Sequence, residues 1–72
     1  METIEIQTPV IQLDQLLKWA GIIETGGQVK ELILDKVIFL NGNLVTERRK
    51  KIVTGDKIEI KGLGKWTVSG PG

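Results

Sequence analysis

Arg48-Arg49-Lys50-Lys51 is the stretch of this sequence with the most definite chemistry. Four adjacent cations repel one another, so a fold tolerates them on a solvated loop or where an anion sits between them. Phosphates are such anions, and arginine adds bidentate contacts that lysine cannot make. The plainer use of the run is solubility. A second feature is Gly26-Gly27-Gln28 at the start of a helical pattern. Free N–H groups and the helix dipole favour an anion there, and two residues without side chains let it approach closely. A tight connection between helices would use the same glycines. Lys18 and Lys30 complete the set of candidate contacts; both also read as ordinary solvated side chains.

Covalent chemistry has little to work with. The chain has no histidine, cysteine or tyrosine, and its only serine is Ser69. Aspartates and glutamates are scattered without a recognisable pairing, and no phosphate loop or dinucleotide fingerprint occurs. No carboxylate cluster stands out as a metal site. The expectation is a binding protein, with no enzymatic activity, cofactor or metal. Without cysteine neither disulfides nor thiolate sites can supplement the core, which suits a reducing cytoplasm.

Seventy-two residues, 40% apolar and 26% charged, are enough for one soluble domain. A chain this short buries only about 60% of the surface its unfolded form exposes, so one small core must serve everything. The net charge of +1 gives weak global attraction to nucleic acid, so any electrostatic partner must be read from local clustering. No apolar run approaches the ~20 residues that span a bilayer, and the first residues lack the basic head of a secretory signal. A cytoplasmic monomer without membrane contact is expected. Only the tail, Ser69-Gly70-Pro71-Gly72, looks like a linker.

The elements that must position these side chains follow from periodicity. Thr3 to Gln7 alternates Ile4 and Ile6 with polar neighbours, a short strand that Pro9 ends. Leu13, Leu16, Leu17 and Ala20 fall on one face of a helix, with Gly21 as its stop. Thr25 and Gln28 have the spacing of a capping box, and Val29, Leu32 and Ile33 form the apolar face of a second helix running to about Asp35. Asn41-Gly42 between Val37–Leu40 and Leu44-Val45 is a strong hairpin signal, because a type I′ turn needs positive φ at both positions. Thr54-Gly55-Asp56 is a turn, Lys57 to Lys61 a strand with one wet face, and Trp66 to Val68 a further strand. Leu16, Leu17, Val29, Leu32, Ile33, Ile38, Leu40 and Ile58 are the expected core. Phe39 then faces away from Ile38 and Leu40, where it either stacks on an unpaired base or is covered by Trp66 or the last strand. Covering is the expectation, and Trp19 is expected to be partly buried. The class is α+β, two short helices packed on a small antiparallel sheet.

These residues resemble a known family. Leu13-Asp14-Gln15-Leu16-Leu17-Lys18, Gly26-Gly27-Gln28-Val29-Lys30, Leu40-Asn41-Gly42 and Thr54-Gly55-Asp56-Lys57-Ile58, in that order, are similar to the S-four-type RNA-binding domain with its α-L motif. The likeness is closest to small bacterial proteins made of this domain alone. It covers about residues 4–61, leaving 62–72 as an extension of a single domain over 1–72. The resemblance implies binding of structured RNA, ribosomal or transfer-RNA-like, through phosphates. The RNA-facing positions it implies are Lys18, Gln28 and Lys30 on the helices, with Arg48, Arg49, Lys50 and Lys51 beyond the hairpin; the helix-start argument adds Gly26 and Gly27. The chain departs from the pattern at Gln12, where many members carry Arg, and at the glycines, where many carry Ser-Arg.

Two other uses compete. The hairpin and Gly-Asp turn also resemble β-grasp sulfur carriers, but those end in Gly-Gly and place one longer helix after the hairpin. A protein-interaction module using Trp19 and Trp66 is the remaining alternative.

Overall fold

In a computed structural model, which describes residues 2–71, both helices form where the 3.6-residue spacing predicts. Helix α1 spans Leu13–Trp19 and buries Leu13, Leu16 and Leu17. Gly21, at φ 75°, turns the chain out of it, and the Ile22 N–H closes back on the Leu17 carbonyl at 2.9 Å. Helix α2 spans Gly26–Leu34 behind the Thr25/Gln28 capping box. The Gln28 Oε1 accepts the backbone N–H groups of Thr25 and Glu24.

The described residues also form seven short strands. Strand β1 is Glu2–Glu5, β2 Val10–Gln12, β3 Ile38–Leu40, β4 Asn43–Leu44, β5 Lys51–Val53, β6 Lys57–Ile60 and β7 Gly64–Ser69. Five of them make one sheet in the order β1-β7-β6-β3-β4, while β2 and β5 pair separately. All pairings are antiparallel except β1 with β7, so the five-stranded sheet is mixed. The sheet's inner face, carrying Ile4, Ile38, Ile58, Ile60, Trp66 and Val68, meets Leu16, Leu17 and Val29 of the helices in one core. No described helix is long and apolar enough to cross a membrane.

Asn41 and Gly42 take the positive φ expected of the hairpin turn, 51° and 86°. The turn is also latched to the next one. Asn41 Nδ2 donates to Asp56 Oδ1 at 3.0 Å, and Asn41 Oδ1 accepts from the Lys57 N–H at 2.9 Å.

Several expectations need correcting. Strand β2 was not evident, because three residues beyond Pro9 are too few to show alternation. Leu32, Ile33 and Leu40 pack against the core yet are only half-buried, since they sit where α2 and the hairpin meet solvent. Trp19 is 58% exposed, its indole N–H donating to the Glu5 carbonyl at the sheet's edge. The tail is less of a linker than its composition suggests. Ser69 belongs to β7, and a Cβ on Gly70 would come within 2.7 Å of the Ile6 carbonyl oxygen. Thr54 Oγ1 donates to the Pro71 carbonyl. Gly72 lies outside the described residues.

Candidate nucleic-acid interface

The basic run is held by its backbone. The segment 45–50 leads from β4 to β5, anchored at its start by buried Val45, whose N–H reaches the Ile38 carbonyl at 2.9 Å. A turn follows, closed by the Lys50 N–H on the Glu47 carbonyl. The carbonyls of Lys50 and Arg48 then accept the N–H groups of Leu13 and Asp14 at 2.8 and 3.0 Å. These are donors that the first turn of a helix leaves unsatisfied, and Gln12 supplies no side-chain cap. The loop caps α1 in its place. Lys51 continues into β5 opposite Gln12.

With the backbone so occupied, the cations point outward in different directions. Arg48 and Lys30 line one cleft together with Ile33, Leu34 and Thr46. Arg49 and Lys51 line a second hollow with Val10, Ile11, Gln12 and Gln15. Lys50 turns toward the hairpin, beside Asn43, Leu44 and Glu47. All four, like Lys18 and Lys30, are exposed. Among the described residues none of these six side chains forms an ion pair or hydrogen bond.

The other candidate positions lie on the helices. Helical spacing at i+3 and i+4 sets Gly26 and Gly27 one turn before Lys30, and Ile33 and Leu34 one turn after it. One face of α2 therefore runs from the glycines through Lys30 into the Arg48 cleft. A Cβ on Gly26 would meet nothing within 4 Å, and one on Gly27 only Thr25 Oγ1 at 3.8 Å. Neither has positive φ. Nothing in the chain itself demands glycine at either position. Gln28 spends its carbonyl oxygen on the cap, leaving its amide N–H groups for a ligand. Lys18, in the last turn of α1, lines none of the three hollows.

Comparison with known proteins gives this geometry a context. A family model for the S4 domain matches residues 4–68. The chain belongs to the S4 domain family. A Bacillus subtilis (strain 168) relative of this S4 domain, described as a probable ribosome maturation protein RlbA, is 35% identical over 65 residues. The match spans 90% of this chain and 92% of that protein. The carrier alternative falls away: both helices of this S4 domain precede the hairpin, and no described helix follows it.

Sequence reasoning missed the walls of the Arg48 cleft. Leu34 is 69% exposed and departs from the Val29, Leu32, Ile33 stripe, and that departure was the available signal. Thr46 carried none. Gln12, beside Arg49, was marked only as the place where many members of the family carry Arg, and Gln15 was silent.

Proposed function

We propose that this S4 domain binds structured RNA, chiefly through phosphates, on the surface formed by the outer face of α2 and residues 46–51, and that it does so in the maturation of ribosomes. The observation that carries this reading is a set of exposed cations without partners on a segment whose backbone is already fixed to α1. The anchoring caps α1, and it has a second use at a phosphate site: a loop backbone fixed before binding lowers the entropy lost on binding. The Gly26-Gly27 end of α2 supplies room and N–H groups for a further phosphate. Ribosome maturation enters from the name of the Bacillus subtilis relative. The domain acts as a binding module, without catalysis, and RNA is its partner.

The test is a pair of titrations of purified protein, one with an RNA hairpin and one with a DNA duplex of the same stem sequence. RNA affinity falls as salt rises, by about 0.7–0.9 in log–log slope for each phosphate neutralised. The DNA duplex binds more weakly, since it lacks the 2′-OH and the A-form groove. Salt-independent affinity, or equal binding of the RNA and the DNA, overturns the reading.

A further inference from the structure

Phe39 faces away from the core. Its neighbours Ile38 and Leu40 turn inward, next to Ile60 and Ile58, whereas Phe39 stands on the sheet's outer face between Leu44 of β4 and Glu59 of β6. It is half-buried, yet absent from the apolar residues packed against the core. The cover expected from Trp66 or the last strand is only partial: the Trp66 indole packs with Ile4 and Val68 and donates to Glu2 Oε2 at 3.0 Å, while Trp66 and Lys65 of β7 line the hollow at Phe39. What stands over the Phe39 ring is Lys61, its Nζ 4.9 Å from the ring centroid.

Cations surround this ring. Lys57 and Lys65 line the same shallow depression as Phe39. By register, Glu59 opposes both Phe39 and Lys65, so Lys57 stands diagonal to Phe39 on one side and Lys61 on the other. Three lysines thus face one carboxylate around an aromatic side chain. We propose that the outer face of the sheet is a second RNA-contact surface, specific for unpaired nucleotides. A base stacks on Phe39, with Leu44 widening the platform, while Lys57, Lys61 and Lys65 take the flanking phosphates. Lys61 must leave the ring for this, and an exposed cation–π contact is weaker than base stacking. Aromatic stacking beside backbone-tracking cations is the usual chemistry of single-strand recognition. The core lies between this face and α2, so one domain holds a structured element on one side and a single strand on the other.

The inference stands apart from the loop at residues 46–51, and the experiment separates them. Amide shifts of the labelled protein are recorded on adding a ten-nucleotide oligouridine, and again on adding an RNA hairpin. Oligouridine is expected to move the amides of Phe39, Lys57 to Lys61 and Lys65, in the wild type and equally in Arg48→Gln/Arg49→Gln. Phe39→Leu should weaken oligouridine about 5- to 150-fold, and Phe39→Trp should retain it, both with wild-type melting. Lys61→Gln/Lys65→Gln, which leaves the apolar platform intact, gives the same reading should Phe39→Leu not fold. Shifts confined to α2 and the loop overturn the inference, as does undiminished binding by Phe39→Leu. A ten-residue oligoglutamate that moves the sheet amides as strongly as oligouridine also overturns it, and assigns the face to acidic proteins. A hairpin that fails to move residues 46–51 bears only on the function proposed above.

Discussion

Arg48 holds its backbone in place with its own carbonyl, through the Asp14 N–H, and its guanidinium has no structural duty. The same division of labour applies to Lys50. For the double variant Arg48→Gln/Arg49→Gln, thermal melts should therefore match the wild type or rise slightly, since adjacent like charges no longer repel. RNA affinity should fall, and the salt slope should shrink by about 0.7–0.9 for each phosphate that is no longer neutralised. Unchanged affinity with an intact melt moves the site to Lys18, Gln28 and Lys30. The glycines give a sharper contrast. Added side chains at Gly26 or Gly27 meet no obstacle in the chain, and alanine is the better helix former. Gly26→Ala and Gly27→Ala should each stabilise the fold by up to about 1 kcal/mol while weakening RNA binding. A variant that melts higher and binds as well as the wild type would show that no phosphate approaches there. The identity of the cations was legible in the sequence; their directions were not. Those depend on the turn that Lys50 closes on Glu47 and on the Gln12–Lys51 pairing, neither of which leaves a mark on local composition.

At the scale of elements, legibility followed locality. Helices α1 and α2 declared themselves through spacing, caps and the Gly21 stop, and the hairpin through Asn41-Gly42, all within a few residues of chain. Strand β2 and the parallel β1–β7 pair depend on partners remote in sequence, and three or four residues cannot announce such partners. The cover expected over Phe39 came only in part for the same reason: alternation gives the face of Phe39, but not that of Trp66. The two turn motifs were legible singly, whereas their coupling through Asn41 and Asp56 was not. That coupling is testable. Asn41→Gly keeps the positive φ and removes both side-chain hydrogen bonds, so it should destabilise the fold by about 1–2 kcal/mol. Urea unfolding of the variant measures this, and a change of a few tenths would mean that water replaces the latch at no penalty.

For the whole molecule, the position of β7 matters most. It lies between β1 and β6, and among the described residues β1 pairs with no other strand. Hydrogen exchange should reflect this. The amides of Ile4 and Ile6, which are tied to β7 alone, should exchange faster than that of Ile58, in the middle of the sheet. Equal protection throughout would mean that the sheet opens only as one unit. The parallel pair also sets an order in time. Val68 is made 64 residues after its partner Ile4. At about 5–20 residues per second, the nascent first strand waits several seconds with Ile4 and Ile6 uncovered. The helix pair and the hairpin, whose contacts are local, have no such wait. The surface proposed for structured RNA is thus assembled while the sheet that backs it is still open, and the arrival of the last strand is the event that completes the domain.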